Sequence, residues 1–386
     1  MKYRTIKRTG WKVSEIGLGC EHLEGKPFEV VDEVVNTALD NEINIFDIFM
    51  PAPAVRSNIG KAIGGRRDRV YLQGHIGNIF ENGQYTKTTD LKKSEEAVYD
   101  FLRRFNTDYI DIGMMHCIDT PRQLSHGLSD GYMELLAKLK QKGVFRSLAL
   151  SSHSATAAIR LVETGVPDVV MFSVNPVFDM MDPDLTILEM VEEELWKKGY
   201  RDMNPDRMRF YRLCEERGVA ITVMKAFAGG RLLKKELTPL TGVMTTGSLI
   251  HYALDRPAVV SIMVGCANGA EVLDAVSYYD KSDEERDYTA IALQPRHSLQ
   301  GRCMYCNHCL PCPANIDVAA VTQAYDAARD SAAPLGQNPA AMRYYELEHN
   351  AEDCIACGSC ESQCPFGVKV IENMEGAKSL FAQINK

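Results

Sequence analysis

The sequence of 386 residues predicts an α/β protein, in which a (β/α)8 TIM barrel precedes a small C-terminal α+β domain. Two observations support this prediction. Up to about residue 280, apolar strand-like runs alternate with amphipathic helical runs, and beyond residue 300 eight of the 12 cysteines crowd together. A composition of 45% hydrophobic and 25% charged residues is that of an ordinary globular protein, so the chain can build a core.

Eight apolar runs predict the barrel strands, each nearly continuously apolar, as in a parallel sheet that is covered on both faces. The runs are 13–19, 43–49, 69–77, 109–116, 147–153, 169–175, 219–227 and 259–265. Apolar residues at steps of three and four predict helices at 29–42, 93–105, 131–143 and 206–218. Ahead of the first strand, the pattern indicates a hairpin that turns at Thr9-Gly10.

Composition divides the chain into three segments. Residues 1–280 form the predicted barrel, 281–300 a polar linker helix, and 301–386 the cysteine-rich domain. Within the barrel, residues 178–204 lengthen the loop after the sixth strand. Barrel loops on that face build active sites, so this segment is either a lid, a partner surface or a solvated surface helix.

Two cysteine runs define the last domain, CMYCNHCLPCP and CIACGSCESQCP. The second matches the bacterial ferredoxin run C-x2-C-x2-C-x3-C-P, in which the fourth cysteine ligates the other cluster. Zinc sites use C-x2-C pairs and have no use for three cysteines in tandem before a Cys-Pro. The runs therefore predict a ferredoxin-like α+β domain with two [4Fe-4S] clusters. The expected ligands are Cys303, Cys306, Cys309 and Cys364 for one cluster, and Cys354, Cys357, Cys360 and Cys312 for the other.

Charge and hydropathy exclude several classes of protein. The 43 Lys and Arg residues against 52 Asp and Glu residues give a net charge of −9, which argues against nucleic acid as the main partner. No run of 18 apolar residues predicts a membrane helix, and the basic N-terminus lacks the apolar segment of a signal peptide. We therefore expect a cytoplasmic protein whose cysteines are reduced and not paired as disulfides.

Four barrel segments resemble the aldo/keto reductase family. They are YRTIKRTGWKVSEIGLGC, NEINIFDIF, FLRRFNTDYIDIGMMH and VMKAFAGGRL, the last similar to family members with a C-terminal ferredoxin piece. The resemblance covers residues 1 to about 280. It implies an oxidoreductase of an anaerobe that acts on a small carbonyl or hydroxyl compound, with a redox partner protein as a further candidate.

The resemblance also implies a catalytic Asp, Tyr, Lys and His at the C-terminal mouth of the barrel. In the family, the Tyr protonates the substrate carbonyl while NAD(P)H delivers hydride. Asp47 matches the Asp and His116 matches the His, whereas His75 stands at the Lys position and Ala52 at the Tyr position. Tyr85 in the following loop could swing in, although a loop tyrosine is more often a packing or surface residue.

The remaining candidate catalytic residues are Asp47, His75 and His116. One histidine could act as a general acid/base with Asp47 holding its tautomer, the three could bind a divalent metal, or they could be structural. Three functions stay open. The first is an iron–sulfur oxidoreductase supplied with hydride by a nicotinamide or with electrons by the clusters. The second is a redox-neutral isomerase or lyase, and the third an electron-transfer subunit with a non-catalytic barrel.

Cofactor-binding candidates lie at the same mouth. The resemblance implies that Ser151 and Asn175 hold the nicotinamide carboxamide, and that Gly265 and Asn268, after strand eight, hold phosphates at a helix start. Lys225 closes strand seven, where a basic group could meet an anionic substrate or phosphate. No Lys or Arg follows Gly265 within ten residues, so NADPH is not expected and NADH is open.

Overall fold

The computed structural model describes residues 1–129, 131–197, 203–240, 242–289, 291, 301, 303–329, 331 and 334–385. The chain divides into two compact units. One comprises Met1–Lys198 and Asp206–Tyr288, and the other Gly199–Pro205 and Thr289–Lys386. Of the expected linker helix at 281–300, positions 290 and 292–300 lie outside the described residues.

The first unit contains twelve strands in its described residues. They are β1 (Tyr3–Ile6), β2 (Trp11–Ser14), β3 (Ile16–Gly19), β4 (Ile45–Ile48), β5 (Tyr71–Ile76), β6 (Asn78–Glu81), β7 (Gln84–Lys87), β8 (Ile110–Met115), β9 (Phe145–Ser152), β10 (Val169–Ser173), β11 (Ala220–Met224) and β12 (Val259–Gly265). Eight parallel strands close a barrel in the order β3-β4-β5-β8-β9-β10-β11-β12. Each overlaps one predicted run, so the predicted fold class is confirmed.

Helices follow the barrel strands. The described helices of this unit are α1 (Phe28–Asp40), α2 (Pro53–Ile63), α3 (Leu91–Arg104), α4 (Pro121–Leu128), α5 (Tyr132–Gln141), α6 (Ala155–Glu163), α7 (Ile187–Met190), α8 (Glu193–Lys197), α9 (Pro205–Glu216), α10 (Thr246–Leu254), α11 (Gly269–Val276) and α12 (Asp283–Arg286). The four helices predicted from periodicity correspond to α1, α3, α5 and α9.

The N-terminal hairpin closes the bottom of the barrel. Strands β1 and β2 pair antiparallel, with Gly10 at φ +75° in the predicted turn. Ile6 and Val13 of this hairpin join Ile112, Met114 and other inward residues in one buried cluster. With this end filled by apolar side chains, the mouth at the carboxyl ends of the strands is the open end.

A second hairpin, β6–β7, follows β5 directly and turns at Asn82-Gly83. Both turn residues have positive φ, as a two-residue Asn-Gly hairpin turn requires. Gly77, at φ +96°, joins β5 to this hairpin, and a Cβ there would lie 2.5 Å from the hydroxyl of Tyr132. A glycine at this position therefore lets the hairpin leave the barrel.

The C-terminal unit is helical in its described residues, with no strand among them. Its helices are α13 (Val318–Arg329), α14 (Pro339–Glu346), α15 (Ser359–Gln363) and α16 (Val370–Phe381). Helix α13 packs against both α14 and α16. Throughout the described parts of both units, no helix is long and apolar enough to cross a membrane.

Candidate active site

A cavity of about 900 Å³ opens at the mouth of the barrel. Its wall is built by the carboxyl ends of the strands, by the β6–β7 hairpin and by α7. Ile187 and Leu188 of α7 come from the long loop after β10, so this loop forms part of the wall. The three candidate catalytic residues line the cavity together with Tyr85 and Lys87.

A continuous chain of hydrogen bonds joins Tyr85 to Asp47. The Tyr85 hydroxyl lies 2.7 Å from Nε2 of His116, and Nδ1 of His116 lies 2.9 Å from Nδ1 of His75. Nε2 of His75 then lies 2.9 Å from Oδ1 of Asp47. The sequence prediction that Asp47, His75 and His116 meet at the mouth is therefore matched by the geometry, and Tyr85 extends the group to four.

The chemistry of the four groups sets the direction of these hydrogen bonds. The Asp47 carboxylate can only accept, so a neutral His75 carries its proton on Nε2 and offers the lone pair of Nδ1. His116 then donates from Nδ1, and its Nε2 accepts from the hydroxyl of Tyr85. In each of these three hydrogen bonds, the donor points along the chain toward Asp47. The lone pairs of the Tyr85 oxygen can therefore accept a hydrogen bond from a molecule in the cavity.

Two residues inside the barrel hold Asp47 in place. Gln73, two residues before His75 on β5, donates from Nε2 to Oδ1 of Asp47 over 3.1 Å. Thr222 of β11 donates to Oε1 of Gln73 over 2.9 Å, which fixes the direction of the amide. Because Gln73 and Thr222 are fully buried, the carboxylate end of the chain is rigid.

Phe49 orients the ring of His116. It follows β4, and its ring stacks on that of His116 with centroids 5.7 Å apart and planes inclined by 7°. Its edge contacts both His75 and Tyr85. The three rings around Phe49 therefore restrain one another in the positions that the hydrogen bonds require.

Burial shifts the protonation of the two outer groups in opposite directions. Burial, reinforced by the neighbouring His75 and Lys87, lowers the pKa of His116 well below its usual value. Burial also raises the pKa of the Tyr85 phenol above its usual value. Both groups are therefore uncharged at neutral pH, as the hydrogen-bond directions require.

Lys87 was not among the residues expected at the site, and Tyr85 was expected only as a loop residue that could swing in. Both lie on β7, two residues apart, and so point to the same face of the hairpin. Lys87 lines the cavity, and its charge acts to lower the pKa of the Cys117 thiol against the stronger effect of burial. The signal that could have revealed the hairpin is Asn82-Gly83, a typical hairpin turn between two short runs of strand-forming residues.

The strand-end residues expected to hold a nicotinamide carboxamide bond to the protein itself. The Ser151 hydroxyl accepts from the backbone N–H of Cys117 over 2.7 Å. The Asn175 amide donates to the carbonyl of Lys225 and accepts from two N–H groups of its own loop. These contacts give both side chains a role in positioning the loops of the mouth.

The corner after β12 does not fit a phosphate. The backbone N–H of Ala267 donates to the carboxylate of Glu271, and that of Gly269 donates to the carboxylate of Glu33. Asn268 accepts from Glu271 N and caps α11. Carboxylates thus occupy the donors that a pyrophosphate would need at this helix start.

Charge at the same corner is also unfavourable for a phosphate. Asp274 and Glu271 line the cavity near Gly265. The candidate cation Lys225 forms a 2.9 Å ion pair with Glu21. A dinucleotide phosphate would therefore meet negative charge without an unpaired Lys or Arg among the described residues of this corner.

The cysteines of the C-terminal unit fit iron–sulfur clusters. Four of them line one small cavity, Cys312, Cys354, Cys357 and Cys360. Burial raises the pKa of the Cys309 thiol to about 12, and the nearby thiols of Cys306, Cys360 and Cys364 act in the same direction. Thiolates are the usual ligands of such clusters. The four cysteines of the small cavity are those expected for one cluster. The neighbours of Cys309 include Cys360 of that same set, so the crosswise division stays a prediction.

Comparison with known proteins agrees with both units. The model of the aldo/keto reductase family matches residues 15–247, and that of a 4Fe-4S dicluster domain matches residues 302–369. An uncharacterized oxidoreductase of Bacillus subtilis, YqkF, is 25% identical over 280 residues, or 69% of this chain and 87% of its own. The aldo-keto reductase YhdN of the same organism is 26% identical over 197 residues, or 48% and 56% of the two chains.

A solved structure shares the barrel fold. The holo form of the aldo-keto reductase AKR11C1 from Bacillus halodurans superposes with a TM-score of 0.57 at 24% identity. The match covers 75% of this chain and 95% of that one. At this identity the likeness shows the fold alone.

Proposed function

Because the chain belongs to the aldo/keto reductase family and carries a 4Fe-4S dicluster domain, we propose that this oxidoreductase interconverts a carbonyl and a hydroxyl group on a small organic substrate. The observation that carries the proposal is the unbroken chain of hydrogen bonds from Tyr85 through His116 and His75 to Asp47. The mouth of the barrel is the proposed reaction site.

Tyr85 is the proposed group that exchanges a proton with the substrate oxygen. When a substrate hydroxyl donates to its oxygen, the Tyr85 proton can pass to Nε2 of His116. The Nδ1 proton of His116 then passes to His75, and the Nε2 proton of His75 passes to Asp47. In the reverse direction, a proton on Asp47 travels outward and Tyr85 protonates the carbonyl oxygen.

In this proposal the four hydrogen-bonded residues Tyr85, His116, His75 and Asp47, called the relay below, take over the proton transfer that the Tyr and Lys perform in the family. A phenol with a raised pKa is a weak acid, so it needs a partner that returns its proton during the same step. His116 lies at hydrogen-bond distance for this exchange. Lys87 brings a positive charge to the same wall of the cavity, which favours the developing negative charge on a substrate oxygen.

We propose the clusters, held by the two cysteine sets expected from the sequence, as the electron source. Reduction of C=O adds two electrons and two protons. Tyr85 would supply the proton on oxygen, and water in the open cavity would supply the proton on carbon. Two one-electron clusters would together supply the two electrons, and a redox partner protein would reload them. The proposed mechanism uses no nicotinamide cofactor, because the corner after β12 does not fit the phosphates of a dinucleotide.

The test uses the full chain, prepared anaerobically with its iron, reduced with dithionite and freed of excess reductant. Short aldehydes and ketones are then added, and cluster absorbance and alcohol are followed together. We expect one alcohol for every two electrons that leave the clusters. Reduction only when NADH or NADPH is added would overturn the cluster source, and no reduction under either condition would overturn the proposed function.

A redox-neutral isomerase is the second candidate, favoured by the hydrogen bond through which Asp47 could take up a proton from His75. Such an enzyme would exchange a substrate proton with solvent without net reduction. The same probes are therefore incubated in D₂O with the oxidised protein. Deuterium at the carbon next to the carbonyl, without alcohol formation in the reduced protein, would select this candidate.

A further inference from the structure

A second pair of acid–base residues lies beside the relay. Asp119, after β8, and His153, after β9, are each 5% exposed. Oδ2 of Asp119 lies 3.0 Å from Nδ1 of His153, and Oδ1 accepts from the backbone N–H of His153 over 2.7 Å. The carboxylate therefore holds both the ring and the backbone of the histidine.

The contacts of Asp119 determine the tautomer of His153. Burial alone would raise the pKa of Asp119, but at the low pH where this carboxyl titrates the ring of His153 is charged, and its charge and hydrogen bonds outweigh burial and hold that pKa well below its usual range. The thiol of Cys117 also donates to Oδ2, over 3.1 Å. An ionised carboxylate only accepts, so the proton of a neutral His153 sits on Nδ1 and the lone pair on Nε2.

Nε2 of His153 is buried and has no hydrogen-bond partner among the described residues. Buried polar atoms are nearly always hydrogen-bonded in native proteins, so an orphaned acceptor calls for an explanation. His153 lines the cavity at the mouth, and the Nδ1 edge of its ring faces Asp119. The opposite edge of the ring carries Nε2, the atom that has no partner.

From this geometry we propose that Nε2 of His153 accepts a hydrogen bond from a hydroxyl or N–H group of the substrate, distinct from the reacting carbonyl. The inference rests on the proposed function and narrows its substrate to carbonyl compounds that carry such a donor.

The two groups are positioned by neighbouring residues of one loop. His116, which contacts Tyr85, directly precedes Cys117, which contacts Asp119. The compounds to test first therefore carry the donor close to the carbonyl, as α- and β-hydroxy ketones or aldehydes do.

The test measures binding, so that it stands even if no turnover is found. Hydroxyacetone and methoxyacetone differ in that only the first donates a hydrogen bond, and each is titrated into the iron-loaded chain by calorimetry. We expect the wild-type protein to bind hydroxyacetone roughly three- to tenfold more tightly, the effect of one neutral hydrogen bond. Equal affinities, or no binding of either compound, would overturn the proposal.

Variants separate recognition from a structural role. His153→Leu should abolish the preference, His153→Gln should keep part of it through the amide oxygen, and Asp119→Asn should weaken it. His349→Leu, an exposed histidine elsewhere, is the control that keeps the preference. Iron content and circular dichroism confirm that each variant is folded. An unchanged preference in His153→Leu would overturn the proposal.

A metal at the same residues is the competing explanation. Cys117, Asp119 and His153 place three ligand atoms within 4.8 Å of one another. Zinc is therefore measured after dialysis against Zn²⁺, with Cys117→Ser as comparison. One zinc per chain that is lost in Cys117→Ser would assign the cluster to a metal and overturn the proposal, whereas zinc-free protein supports it.

Discussion

The Tyr85 hydroxyl donates to Nε2 of His116 over 2.7 Å, although the two residues belong to different elements. His116 directly follows barrel strand β8, and Tyr85 lies on the β6–β7 hairpin that the chain inserts after β5. A phenol therefore reaches the mouth from a hairpin, and not from position 52, where the sequence resemblance led us to expect the tyrosine of the family and where an alanine stands.

Replacing Tyr85 with Phe should remove the proton exchange with the substrate and leave the fold intact, since 40% of this residue is exposed. We expect kcat for carbonyl reduction to fall about 100-fold or more, the usual effect of losing a general acid. Tyr99→Phe, a change of an equally exposed tyrosine on α3, should have no effect. Equal rates for Tyr85→Phe and wild-type protein would remove Tyr85 from the mechanism.

The lowered pKa of His116 predicts a pH-dependent stability. A histidine kept neutral in the folded barrel takes up a proton on unfolding below about pH 6.5, so its contribution is complete above that pH and is lost as the pH falls. The free energy of unfolding should fall by about 1.4 kcal/mol per pH unit from this group. His75, Lys87 and His153 all act to lower this pKa, whereas Asp119 raises it.

The measurement is urea unfolding between about pH 7.5 and pH 5.5, followed by the fluorescence of Trp11 and Trp196 in the barrel unit. His116→Gln should show a shallower decline than the wild type. His349→Gln, which changes an exposed histidine of the other unit, should keep the wild-type decline. Parallel curves for His116→Gln and the wild type would contradict the prediction.

Asp179 should be a major source of barrel stability. Its fully buried carboxylate accepts from Arg207 at 2.9 Å, from Tyr211 at 2.5 Å and from Tyr252 at 2.7 Å. Asp179→Asn leaves the buried guanidinium without its counter-charge, so we expect a loss of about 3–5 kcal/mol in urea unfolding. Glu163→Gln, which removes an exposed ion pair with Arg209, should cost less than about 1 kcal/mol. Similar losses in the two variants would refute this role.

Iron content can test the crosswise ligand sets. The wild-type chain should hold about eight irons, and Cys364→Ala about four. Adding Cys303→Ala should remove no further iron, because both residues belong to one set, whereas adding Cys312→Ala should remove the rest. Cys214→Ala, a buried barrel cysteine, should keep about eight irons. The opposite pattern in the two double variants would reverse the sets.

Much of the site followed from local patterns. Each strand is a short apolar run, and the carboxyl ends of parallel strands meet at one mouth, so Asp47, His75 and His116 could be placed together from their positions alone. The cysteine spacing likewise indicates cluster ligands, because thiolates two residues apart reach corners of one cluster.

Periodicity and spacing thus predicted the barrel and the second domain, and the resemblance to a family added Asp47, His75 and His116 as candidates at the mouth. Only the tertiary structure decided that Tyr85 completes the relay, that Asp119 orients His153, and that Glu271 occupies the corner where a phosphate would bind. A hairpin's direction and the meeting of loops from neighbouring strands depend on contacts between residues distant in sequence. Such contacts form only when the barrel closes. They produce no regular spacing of residue types, so the sequence pattern does not predict them.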